Sequence, residues 1–195
     1  MAVVDNTVLC TSPTLGKVTV GTYKSWNQRK DGGWSLKPIF IRDRLRERYV
    51  NPVEKLRPQA KNGFMIIALS CLLIETLESF YLGWGSTKDK SKRAFLSFFA
   101  RQPRFRSIQE ADKADSFYSD VRCGVLHQGE TKNGWTVVRS GPMFDGLSRI
   151  NATIFHRELS RALDDYCRDL ESPAPGNRVR ARFNRKMRAV LENCK

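Results

Sequence analysis

The sequence predicts a mainly α-helical bundle with a small β-rich N-terminal segment (residues 1–35) and an inserted β-hairpin. Three observations carry this expectation. Residues 63–82 are apolar nearly all round in their first half, and a helix of that kind must be enclosed by others. Residues 108–126 and the stretch after Thr153 both set apolar side chains at helical spacing with charge elsewhere. Two amphipathic helices flanking an apolar one are the ingredients of a bundle.

Taken in order, residues 17–23 (Lys17-Val-Thr-Val-Gly-Thr-Tyr23) alternate and Asp31-Gly-Gly33 signals a turn, so the first 35 residues are expected to be a strand-and-turn appendage. A first helix is expected over 38–49: Pro38 suits a first turn, Ile41, Leu45 and Tyr49 recur every fourth position, and Asn51-Pro52 should end it. Its Arg42, Arg44, Arg46 and Arg48 alternate with Asp43 and Glu47, which reads as a solvated charged face. The central helix follows at 63–82. A basic, aromatic segment comes next, with Lys88, Lys90, Lys92 and Arg93 before Phe95, Phe98 and Phe99, the phenylalanines reading as core.

Residues 108–126 should form one amphipathic helix through Ala111, Ala114, Tyr118, Val121 and Val125. Residues 129–146 break the helical pattern. Trp135-Thr-Val-Val138, Gly141-Pro142 and the apolar piece at 147–150 suggest a hairpin. Asn151 or Thr153 can cap the next helix, whose stripe is Phe155, Leu159, Ala162, Tyr166 and Leu170. Residues 172–176 (Ser172-Pro-Ala-Pro-Gly176) read as a linker. A last basic helix over 178–193 places Val179, Phe183 and Met187 on one face and Arg178, Arg182 and Arg185 on another. The expected division is therefore 1–35, 36–170 and 171–195.

Composition narrows the function. Hydrophobic residues are 41% of the 195-residue chain, enough for a real core. Lys and Arg outnumber Asp and Glu by 34 to 20, a formal charge of +14 that favours a polyanionic partner such as RNA, DNA or an anionic membrane. The N-terminus carries Asp5 and no long apolar run, which does not read as a secretory signal. The apolar run at 64–74 is short, broken by Ser70 and followed by Glu75 and Glu78, so a core helix is expected and no membrane span. The five cysteines (Cys10, Cys71, Cys123, Cys167, Cys194) form no Cys-x-x-Cys pair and only two histidines accompany them. Free thiols in a reducing cytoplasm are expected, with no metal site and no cofactor.

The informative string is residues 119–130, Ser119-Asp-Val-Arg-Cys-Gly-Val-Leu-His-Gln-Gly-Glu130. It sets Arg122 and His127 with four residues between them at the end of a predicted amphipathic helix. Residues five positions on are separated by roughly 140° around an ideal helix, so the pair should flank a groove unless Gly124 bends or ends the helix. Arginine and histidine are residue types that could serve RNA cleavage by the 2′-hydroxyl. Histidine can take or give the proton near neutrality, and arginine can hold two phosphate oxygens of the pentacovalent phosphorane. A bland alternative is an arginine paired with a carboxylate and a histidine closing a helix C-terminus. Arg149 and His156 repeat the arrangement with six residues between, but span a predicted strand end and helix cap, with His156 on a charged, exposed face.

The string resembles the HEPN superfamily, whose signature is arginine, four to six residues, then histidine on a late helix of a small bundle. The resemblance spans roughly residues 60–170 and includes the neighbours Val-Arg-Cys-Gly-Val-Leu-His-Gln. It implies a metal-independent endoribonuclease acting as a homodimer, with two copies of Arg122 and His127 at the seam. By family habit it implies a toxin-like role in phage defence or growth arrest. This chain departs from the family in one respect: Cys123 stands where many active members carry a polar residue after the arginine. An inactive HEPN domain that binds RNA or a regulatory partner protein is thus the alternative, and a DNA-binding helical protein using the C-terminal helix is a third.

Around the pair, Glu75, Glu78 and Ser79 form the polar break of the central helix. They are expected either at its solvent-facing edge or as support, orienting Arg122 or favouring the protonated imidazole. Lys88, Lys90, Lys92, Arg93, Arg178, Arg182 and Arg185 are the candidate RNA phosphate contacts, which position a ligand without reading its sequence.

Overall fold

The computed structural model describes residues 4–56 and 61–194. Its contacts gather the chain into two units, residues 1–48, 79–86 and 163–195 in the first and residues 49–78 and 87–162 in the second.

In the first unit, β1 (Val8–Ser12) and β2 (Gly16–Thr19) pair antiparallel. The alternating stretch 17–23 does not stay extended. Thr19 accepts a hydrogen bond from the Thr22 N–H at 3.2 Å and caps a helix, α1 (Val20–Trp26). A hydroxyl there satisfies an otherwise orphaned first-turn donor, and the helix places Tyr23 and Trp26 together. Both rings pack on Phe40 at 5.3 and 5.8 Å, so these residues are core and not an appendage.

Phe40 lies on α2 (Lys37–Leu45), with Pro38 in its first turn as expected. The helix does not stop at Asn51-Pro52. A π-helical turn over Arg46–Val50 carries the chain into α3 (Asn51–Leu56). Pro52 has no N–H and its ring crowds the preceding turn, so a wider turn upstream lets the helix continue past it. The charged face is also less solvated than its pattern suggests. Arg44 is buried, donates to the Leu9 carbonyl and lies over Phe40.

The unit is completed by the second half of α9 (Ala152–Glu171) and by α10 (Val179–Glu192). Arg46 pairs with Asp164 at 2.8 Å and Arg42 with Glu171 at 3.0 Å. The linker 172–178 is held by Arg180, which donates to the carbonyls of Leu170 and Glu171 at 2.9 and 2.7 Å and so closes the C-terminus of α9. Phe183 packs on Trp34 and on Phe80, both at 5.6 Å. This is why the chain's two ends share one core across the expected boundaries at 35 and 170.

The second unit is built on α4 (Gly63–Leu82), whose limits match the expectation. Ile66, Ile67, Cys71, Leu73, Ile74 and Leu77 are buried, but enclosure is incomplete: Met65 is 49% and Leu72 39% exposed. By length and composition alone the 20-residue α4 could cross a bilayer: an 18-residue stretch of it has mean hydropathy 1.7, and 56% of that stretch is buried in protein. α5 (Ser91–Arg101) buries Phe95, Phe98 and Phe99. With Phe105, Phe117 and Phe155 they form an aromatic cluster in which Phe117 and Phe155 stack at 5.3 Å.

Two expectations fail in this unit. The single helix over 108–126 is interrupted after α6 (Arg106–Glu110), where Asp112 adopts a left-handed φ of 53°, a region aspartate tolerates. It resumes as α7 (Ala114–Ser116), a π-helical turn over Phe117–Arg122, and α8 (Cys123–Gln128). The hairpin is not one either. β3 (Thr136–Val138) and β4 (Arg149–Asn151) run parallel. The connecting loop stacks Phe144 on Trp135 at 5.8 Å, then turns back where Asp145 accepts from the N–H groups of Leu147, Ser148 and Arg149. That second reversal gives β4 the direction of β3. Asn151 then caps α9 by accepting from the N–H groups of Thr153 and Ile154 at 3.1 and 3.2 Å.

Candidate active site

Arg122 closes the π-helical turn and His127 sits in the last turn of α8, which ends on Gly129 in the left-handed conformation (φ 73°). Glycine is the residue that terminates a helix this way without strain. Gly124 serves a different need. A Cβ there would stand 2.3 Å from the Glu130 carbonyl oxygen, so its absence is what lets the returning loop lie against the helix.

The two side chains do not merely flank a groove. Nη1 of Arg122 lies 3.1 Å from Nε2 of His127. The long arginine arm spans an angle that the backbone leaves open. A guanidinium can only donate, so this bond requires Nε2 to carry its lone pair and places the imidazole proton on Nδ1. Cys123 Sγ is 3.9 Å from the same Nη1, and the Tyr118 ring lies 5.7 Å from the guanidinium carbon.

The other side of the guanidinium is held by α4. Nε and Nη2 of Arg122 both donate to Oε1 of Glu75, at 2.8 and 2.7 Å. Ser91, the first residue of α5, donates its hydroxyl to the same oxygen at 2.7 Å. The side chains of Arg122 and Glu75 are 15% and 12% exposed, while His127 is at the surface. Burial by itself depresses the Arg122 pKa. The Glu75 charge and hydrogen bond, with lesser help from Cys123 and Tyr118, overcome it, and the net direction is upward. The site thus has a fixed cation at its floor and an open imidazole at its mouth.

Of Glu75, Glu78 and Ser79, only Glu75 reaches Arg122. Glu78 is fully buried and is bonded instead by Ser97 (2.7 Å) and Arg101 on α5. Ser79 is buried in the first unit, where its carbonyl accepts the Trp84 N–H at 2.8 Å. Neither is a solvent-facing edge and neither supports Arg122: one turn along α4 is enough to aim Glu78 at α5. Ser91 and Tyr118 complete the site without having been anticipated. Tyr118 had a signal, standing four residues before Arg122 on the same helical face; Ser91 had none.

The second arginine–histidine pair does not form a site. Arg149 is exposed on β4, whereas His156 is 3% exposed on α9 with Nδ1 2.8 Å from the Ser70 hydroxyl. The charged neighbours in sequence pointed outward, but residue 156 falls beside Phe155 and Leu159 on the stripe that α9 buries.

The candidate phosphate contacts divide between the units. Lys88, Lys90 and Arg93 are exposed in the second, and Lys92 there pairs with Asp115 at 2.6 Å. In the first, Arg178 and Arg185 are exposed, while Arg182 is half-buried with its backbone against Gly83. Among the described residues no three His, Cys, Asp or Glu side chains gather as a metal-ligand set. No protein-family model, curated protein or solved structure matches this chain.

Proposed function

We propose that this chain is a metal-independent endoribonuclease of the HEPN type, cleaving RNA by 2′-hydroxyl attack at a site that two protomers share. The single observation that carries the reading is the chain of contacts from Glu75 through Arg122 to His127. Glu75 fixes the guanidinium, and Arg122 keeps the unprotonated Nε2 of His127 facing it. When a scissile phosphate takes Nη1, Nε2 is released as a base for the 2′-hydroxyl. The 2′-oxygen then bonds phosphorus, the phosphorane charge falls on Arg122, and the bond to the 5′-oxygen breaks. That leaving oxygen needs a proton, which a second, protonated His127 from a two-fold partner would supply. Support for such a partner comes from α4, whose Met65, Leu69 and Leu72 lie at helical spacing with the first and last exposed, on the helix that bears Glu75. In the cell such an enzyme would be cytoplasmic and act as a toxin in phage defence or growth arrest.

The test is incubation of the purified chain with mixed RNAs in EDTA beside His127→Ala and Arg122→Ala. The expected products end in a 2′,3′-cyclic phosphate and a 5′-hydroxyl, DNA survives, and both variants lose orders of magnitude in rate. Cleavage abolished by EDTA, or 5′-phosphate ends, would overturn the mechanism. A strict monomer that still cleaves would overturn the shared site.

A second reading rests on Cys123. Its sulfur shares Nη1 of Arg122 with His127, and a guanidinium so occupied would bind RNA or a partner protein without cutting. RNA retained but uncut under every condition, with cleavage appearing in Cys123→Asn, would select that reading.

A further inference from the structure

Among the described residues, the first unit holds a buried cation, Lys37, with no carboxylate bonded to it. Lys37, the first residue of α2, is 2% exposed. Among the described residues no carboxylate pairs with it. Its ammonium donates to Oδ1 of Asn184 at 3.4 Å and lies over the rings of Trp34 and Tyr23, at 4.7 and 5.7 Å. One long hydrogen bond and two ring faces offset only part of the cost of removing an ammonium from water. Burial accordingly holds its pKa below the ordinary lysine range, with the more distant charge of Asp31 opposing. Asp31 is itself exposed and committed to the N–H groups of Gly33 and Ser35.

Two of these partners, Tyr23 and Asn184, also line a cavity of about 290 Å³, together with Asn27, Met187, Arg188 and Leu191. No carboxylate is among them. Because lysine can only donate, the Asn184 oxygen faces the ammonium and its NH2 group is the part left for an occupant. Arg188 stands one helical turn further along α10 and is exposed, a second obligate donor on the same face. Tyr23, Met187 and Leu191 supply an apolar wall. Asn184, which the buried Lys37 bonds from behind, and Arg188 present donors to a cavity that no carboxylate lines, and such a lining suits an oxyanion.

We propose that this cavity binds a small organic anion, its phosphate or carboxylate group held by Asn184 and Arg188 and its apolar body against Tyr23, Met187 and Leu191, with Lys37 bonded to the far side of Asn184. The proposal is independent of the ribonuclease reading, since none of these residues belongs to the Glu75–Arg122–His127 site.

Calorimetric titration of the full chain with phenyl phosphate, benzoate, inorganic phosphate and phenol tests it. One-to-one binding is expected for phenyl phosphate or benzoate, the tighter of the two identifying the head group, with inorganic phosphate at least about tenfold weaker and phenol negligible. Asn184→Asp places a carboxylate on Lys37, so it should raise the melting temperature and weaken anion binding about tenfold or more. Arg188→Gln, at an exposed position that leaves the core intact, should weaken binding by a similar factor. The proposal is overturned if no anion binds up to about 10 mM, if phenol or inorganic phosphate binds as tightly as the best organic anion, or if both variants keep wild-type affinity.

Discussion

Nη1 of Arg122 donates to Nε2 of His127 across 3.1 Å, while the rest of the same guanidinium is bound to one oxygen of Glu75. The arginine therefore has a fixed side and an exchangeable side. If Nε and Nη2 left Glu75, a largely buried carboxylate would keep only the Ser91 hydroxyl and lose its cation, whereas Nη1 can exchange the imidazole for a phosphate oxygen.

Glu75→Gln should separate these functions. An amide keeps the shape but loses the charge-assisted bonds, worth about 1.5–3 kcal/mol. RNA cleavage is expected to fall roughly 10- to 100-fold in kcat with little change in KM. An unchanged kcat in single-turnover assays would show that Glu75 does not position Arg122.

Gly124→Ala puts a methyl group where 2.3 Å separates it from the Glu130 carbonyl oxygen. The loop after α8 must shift, at a cost of roughly 1–3 kcal/mol. Urea denaturation should show that loss. A neutral result would mean that the loop does not lie against the helix.

The second pair serves as an internal control with different structural consequences at its two positions. Arg149→Ala, at an exposed site, should change stability by less than about 0.5 kcal/mol. His156→Ala removes a buried ring bonded to Ser70 and should cost about 2–4 kcal/mol. Specific activity of the folded fraction should stay near wild type in both. A selective loss of cleavage in a fully folded His156 variant would shift the site assignment to the second pair.

The Asp31 carboxyl is pulled from 3.8 to about 2 by hydrogen bonds from Ser35, then Gly33. A carboxylate depressed on folding binds fewer protons in the native state than in the unfolded one. Its stabilisation is present above pH 3.8 and is lost as pH falls through about 2. Asp31→Asn should therefore lower the urea midpoint above that range and converge with wild type at its acid end. Parallel curves throughout would show that Asp31 is not depressed.

Replacing Arg178, Arg182 and Arg185 together with Gln should weaken RNA binding and shallow its salt dependence, by about 0.7 in the logarithmic slope per lost phosphate contact. Cleavage-site choice should not move, because such contacts carry no base information. Electrophoretic mobility shifts across salt concentrations would measure it, and an unchanged slope would remove these residues from the interface.

Much of the framework was legible in the residues themselves. The limits of α4, the Asn151 cap, the linker after residue 171 and the buried face of α10 all follow from patterns contained within a few neighbouring positions. The period of the apolar residues and the hydrogen-bonding reach of a capping side chain are local quantities, so sequence alone determines them. The identity of the arginine–histidine pair was legible for the same reason.

Tertiary structure decided the rest. Thr19 capping α1 in place of a longer strand and the parallel run of β4 each accompany aromatic contacts between residues distant in the chain or across a loop, Tyr23 and Trp26 on Phe40 and Phe144 on Trp135. The site shows this most plainly. Glu75 and Arg122 are 47 residues apart, and whether α4 aims Glu75 or Glu78 at Arg122 turns on one helical turn of register in the packed unit. His156, flanked by charge in the chain, is buried on Ser70. The amino-acid sequence determined which side chains could act as acid, base or cation; only packing decided which of them meet, because a pairing between distant residues is set by the core that both helices share.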